Sequence, residues 1–76
     1  MAISNRSRKL GAEIYNSDLL PVMQETRRCN PGASAKFYAI SQAHSFGADN
    51  VLASDGKPYT YANLLFFFRE YGDLIK

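Results

Sequence analysis

His44 is the only histidine in the 76 residues, and imidazole is the side chain that exchanges a proton near neutral pH without help. Ser41 and Ser45 lie within about one helical turn of it, so a hydroxyl nucleophile activated by imidazole is the first chemistry to weigh. That chemistry also needs an acid to orient the ring. The helix around His44 supplies none, and Asp49 or Asp55 would have to arrive from the following loop. His44 shares a helical face with Ala33, Phe37 and Ile40, which predicts a packed, hydrogen-bonded core histidine.

Cys29 is the second reactive group. Arg27 and Arg28 beside it would lower its pKa if it were exposed. It also continues the stripe Leu19, Val22, Met23 and Thr26, and that spacing predicts a buried, inert thiol. One His and one Cys cannot assemble a structural zinc site in one chain. Glycine-rich phosphate motifs are absent and the carboxylates are scattered singly. The sequence therefore predicts no enzyme, no metal and no cofactor.

The elements that would position these groups are helical. Ser4 is a candidate cap for a helix reaching about Tyr15, with Leu10 and Ile14 paired one turn apart and Gly11 weakening it. Asn16-Ser17-Asp18 restarts the chain, and Pro21 falls where a first helical turn tolerates it. Arg27 and Arg28 fall in the last turn of that second helix, where cations complement the dipole. Asn30-Pro31-Gly32 breaks it and starts a third, with Asn30 as cap. This third helix is predicted over 33–46, its alanines allowing close approach of a neighbour and Gly47 as a left-handed cap.

Residues 48–58 read as a loop tucking Val51 and Leu52 under the last helix. A small hairpin about Asp55-Gly56 competes with that reading, although Pro58 opposes a return strand. The last helix follows Thr60 as cap and places Tyr61, Leu64, Leu65, Phe67, Phe68, Tyr71, Leu74 and Ile75 on one wide apolar arc. Gly72 is expected to fray or cap it. Asn63, Arg69, Glu70 and Asp73 fall on the opposite arc, and Phe66 falls among them.

The predicted fold is thus all-α: one compact domain over 1–76, three or four helices, the C-terminal helix central and residues 1–5 a flexible basic arm. The alternative is α+β with the short hairpin. At this length a chain hides only about 60% of its unfolded surface, so a homodimer that completes the core is a further expectation. The single cysteine rules out an intrachain disulfide, and no early apolar run resembles a signal peptide or a membrane span. A cytoplasmic protein that does not enter the membrane is expected.

Two binding functions follow. In the first, the protein is a non-catalytic regulator, a phage-type or regulatory accessory protein that blocks or modulates a larger protein or complex. Its contact residues would be Phe66, Tyr38, Tyr15, Tyr59 and Arg69, since aromatic rings and arginine dominate interface energetics. Phe66 also has a plainer reading, as a ring covered by another segment. The second function is a small DNA- or RNA-binding regulator. Residues 1–36 carry six cations against three anions, and residues 37–76 three against four. Arg6, Arg8 and Lys9 would form a mobile arm, and Arg27, Arg28 and Lys36 a phosphate clamp.

Overall fold

The side-chain oxygen of Ser4 accepts from the Ser7 amide, and α1 runs Asn5–Tyr15 from that cap. The computed structural model describes residues 4–74, with the Leu74 side chain outside the description. Ser4 and Asn5 begin α1, so the flexible arm expected for 1–5 does not include them; its residues 1–3 lie outside the described residues. Arg6, Arg8 and Lys9 are likewise helical, not part of an arm.

Ser17 receives the Leu19 amide in a short turn before α2, Leu20–Cys29, which has proline in its first turn. α3 is Ala35–Ala48 and is capped by Ser34, not by Asn30. Asn30 instead ends α2, and its amide donates to the Thr26 carbonyl. Gly47 stays inside α3, and the left-handed residue is Asn50, φ 56°. A short polar side chain tolerates that conformation better than most.

The competing hairpin reduces to one bridge between Leu52 and Pro58, with Gly56 at φ 80° in the turn between them. Val51 packs on the core, whereas Leu52 is 55% exposed and not tucked under the last helix. α4, Tyr61–Tyr71, follows Thr60 in a reciprocal cap: Thr60 N–H donates to Asn63 Oδ1 at 2.7 Å while Thr60 receives the Asn63 amide. That cap carries Asn63 into the interior, against its place on the polar arc of the sequence. Gly72 continues α4 in right-handed geometry into a 3-10 turn, Gly72–Leu74. Ile75 and the Leu74 side chain, both expected on the apolar arc, lie outside the described residues.

α4 is the centre of the fold. Leu64, Phe67 and Phe68 are buried against Ile14, Met23, Tyr38, Ala39 and Phe46. Fully burying a side chain of this size stabilises by about 1.5–3 kcal/mol, so these three residues anchor the domain. α1 runs parallel to α4, since Gly11 meets Phe66 and Tyr15 stacks on Tyr71. α3 runs antiparallel to it: Tyr38 meets Phe68, and Phe46 meets Tyr59 just before α4. The chain is all-α with its last helix in the middle, as the sequence predicts. The Cα radius of gyration, 11.2 Å, matches the roughly 11 Å of a compact chain this long.

α3 is turned about half a revolution from its sequence-predicted orientation. Its buried face is Tyr38, Ala39, Gln42 and Phe46, while Phe37 and Ile40 are 48% and 41% exposed. Both sides are apolar, so periodicity alone does not choose between them. Packing chooses the side with two large rings around Ala39, and Thr26 Oγ1 donates to Gln42 Oε1 at 2.6 Å from α2.

Candidate interaction surfaces

The expected contact residues separate into three groups. Tyr38 is only 1% exposed, its hydroxyl donating to the Asn30 carbonyl and its ring 5.1 Å from Phe68. It belongs to the core, and the expectation of an exposed ring there fails because α3 turns it inward. Tyr59 is half-buried with its ring 5.6 Å from Phe46, and burial followed by the Glu13 carboxylate pushes its phenol pKa up. It serves as a wedge between the loop and α3.

Tyr15, Phe66 and Arg69 are drawn to one region. The Tyr15 ring stacks at 5.0 Å on Tyr71, which meets Phe66 edge-on at 6.4 Å. All three rings are half-buried, and Phe66 leans on α1 across Gly11. Phe66 is therefore partly covered, yet its outer part stays at the surface. Arg69 and Glu70 follow it on the next turn of α4, both exposed. Arg8 lies two turns before Tyr15 on α1 and is exposed, as is Lys9. Neither Arg8, Lys9 nor Arg69 is in an ion pair among the described residues.

The remaining cations are mostly engaged within the molecule. Arg6 binds Asp55 through two hydrogen bonds, 2.9 and 3.3 Å, and donates to the Pro58 carbonyl at 3.2 Å. These bonds hold the Asp55 carboxyl below its ordinary pKa, with the Lys57 amide second in effect. Together with Ser54, whose hydroxyl donates to Glu13, they strap the loop to α1. Arg27 lies over the Tyr38 ring at 5.8 Å and near Asp73 at 3.9 Å. Arg28 pairs with Glu25 on its own helix. Lys36 is exposed on α3. Of the six residues proposed to hold phosphate, three are thus committed to internal partners.

Cys29 is exposed rather than buried, because the stripe it continues turns outward at the end of α2. Its thiol donates to Glu25 Oε1 at 3.2 Å, and that bond raises its pKa despite the neighbouring guanidinium. The same carboxylate is pulled below its ordinary pKa, first by Arg28 and then by the thiol.

His44 is exposed, not packed in the core, and borders a shallow groove with Ile40, Ala43 and Tyr61. Of the two acids that a triad could draw from the loop, Asp55 is bound to Arg6 and Asp49 is the C-cap residue of α3. Among the described residues no three metal-ligating side chains cluster, and no helix is long and apolar enough to cross a membrane.

A surface that the sequence reading assigned to the interior is the outer side of α3. Phe37, Ile40, Ser41 and His44 form an exposed stripe. Tyr61, 39% exposed, flanks it from α4, and the exposed Val22 lies beyond Ser41 across a second shallow groove. The available signal was the helix's apolarity on every side: a helix with two apolar faces asks for two partners. No family model, curated protein or solved structure matches the chain.

Proposed function

We propose that this protein is a non-catalytic regulator that binds a larger protein and blocks or modulates it through the α1–α4 edge. The observation that carries the reading is the half-open stack Tyr15–Tyr71–Phe66, followed on α4 by Arg69. Tyr, Phe and Arg are the residue types enriched where binding energy concentrates. A ring already held by a neighbour loses little rotamer freedom on binding. The cations beside the stack, Arg8 and Arg69 against Glu70, favour a partner whose contact surface has an acidic rim. Engagement of Arg6, Arg27 and Arg28 within the molecule speaks against a phosphate-tracking surface.

The test is affinity purification of the intact chain from its native cell, with and without nuclease, read by mass spectrometry. A defined protein recovered under both conditions, and lost with Arg69→Glu, is the expected result. Arg69 is exposed, so that variant keeps the fold. Recovery that vanishes with nuclease would overturn the reading, as would a partner indifferent to Arg69→Glu and to Phe66→Ala.

A further inference from the structure

The outer side of α3 differs in character from the α1–α4 edge. From Phe37 to Ala48 the sequence contains no Asp, Glu, Lys or Arg. Mixed aromatic and arginine composition marks surfaces that meet a different protein reversibly, whereas nearly charge-free apolar faces mark permanent homodimers, which resemble a core cut in half. The uncharged stripe meets its own copy without like-charge repulsion, and Glu25, which lines the second groove, is already paired with Arg28. Its relief is self-complementary: the ridge Phe37–Ile40–His44 stands between a groove at Ala43 and Tyr61 and another at Val22 and Ser41. Ridges of one helix set into such grooves are how helices pair.

The area suits a dimer as well. A standard interface covers about 800 Å² per partner, roughly a sixth of this chain's 4840 Å². α3, at about 1.5 Å per residue, is as long as the molecule's shortest extent, 21 Å, the others being 30 and 28 Å. Four of the five exposed large hydrophobic residues among the described ones, Val22, Phe37, Ile40 and Tyr61, lie on this face or at its grooves.

We infer that the outer face of α3 packs against the same face of a second copy, forming a two-fold homodimer centred on Phe37, Ile40, His44 and Tyr61. In an isologous pairing each residue contributes twice, so one substitution places two changes in the interface. The dimer leaves Tyr15, Phe66 and Arg69 outside its seam, and it stands or falls independently of the proposed function.

Sedimentation equilibrium on the intact chain tests this. The expected mass is twice 8.5 kDa at high micromolar concentration, falling to the single-chain value on dilution. Ile40→Glu and Phe37→Glu, both at exposed positions, are expected to run at half the unaltered mass with undiminished helical circular dichroism. Leu52→Glu, at an exposed apolar residue elsewhere, and Arg69→Glu are expected to leave the dimer intact. A Cys29→Ser/Ser41→Cys chain is expected to form a disulfide with its copy on mild oxidation, which tests the face without a charged substitution. Single-chain mass for the unaltered protein at every concentration would overturn the inference. So would a dimer that survives both Ile40→Glu and Phe37→Glu, or one that Leu52→Glu or Arg69→Glu dissociates as readily.

Discussion

A Cβ placed on Gly11 would lie 2.5 Å from Cδ1 of Phe66 and 3.2 Å from the Asn63 carbonyl oxygen. Gly11 is thus a point where α1 and α4 lie too close to admit a Cβ, and a residue that weakens α1 as an isolated helix is what lets it dock there. Gly11→Ala gains roughly 0.5–1 kcal/mol of helix propensity but overpacks the crossing, at about 1–3 kcal/mol. The net expected change in urea unfolding is a loss of about 1 kcal/mol. In a Phe66→Ala background the clash with the ring is gone and only the tight approach to the Asn63 carbonyl remains, so the same substitution is expected to cost less. A loss of equal size in both backgrounds would remove Phe66 as the cause.

Tyr38 joins the α2–α3 turn to the core through its hydroxyl on the Asn30 carbonyl and its ring on Phe68. Tyr38→Phe removes only the hydrogen bond and is expected to lower stability by about 1 kcal/mol. Tyr38→Ala also removes the ring, at about 3–5 kcal/mol. A chain of this length has a total stability of only about 4–11 kcal/mol, so the alanine variant should be unfolded or close to it. Equal thermal midpoints for Tyr38→Ala and the unaltered protein would contradict the core assignment.

Because Arg6 lowers the folded-state pKa of Asp55, the clasp between α1 and the loop stabilises the fold only while that carboxyl is ionised. Its contribution is complete above the unfolded carboxyl value, about 3.9, and is lost as pH falls through the lower folded value. Asp55→Asn should therefore melt below the unaltered protein at pH 7, and the two midpoints should converge near pH 2. The carboxyl is at the surface, so molar salt should narrow the pH 7 difference as well. A difference that persists in acid would place the effect elsewhere.

Glu25 accepts from both Arg28 and the Cys29 thiol. Its bond to the thiol holds Cys29 above its ordinary pKa, so the reactive thiolate is less populated than in a free cysteine. Glu25→Gln should speed reaction with an aromatic disulfide reagent severalfold, since the thiolate is the nucleophile. Arg28→Gln should slow it by withdrawing the nearby cation. A slower reaction in Glu25→Gln, or a faster one in Arg28→Gln, would dismiss this account of the thiol.

Local signals in the chain were legible wherever one residue type performs one job. Ser4 and Thr60 cap α1 and α4 because a hydroxyl that accepts an early amide has few rivals at a helix start. The central place of α4 was legible from its concentration of rings. The facing of α3 was not, because Phe37, Ile40 and His44 on one side compete evenly with Tyr38, Ala39 and Phe46 on the other. Only the rings of α4, far away in sequence, decide between them. Asn63 was misplaced for a related reason: its polarity points outward, but its bonds to Thr60 carry it inward. Tyr15, Phe66 and Arg69 stand out in the sequence by residue type alone, while the region that brings Tyr15 to Phe66 depends on the parallel pairing of α1 with α4.

That pairing dictates the order in which the molecule can be made. α1 leaves the ribosome before the surface it rests on, around Asn63 and Phe66, which is translated only after α2 and α3. Until then Leu10, Ile14 and Met23 lack Leu64, Phe67 and Phe68, the buried α4 side chains that complete the core. The nascent polypeptide therefore carries these sticky side chains incompletely covered until α4 has been made, open to chaperones and proteases, and completes its core only when that helix arrives.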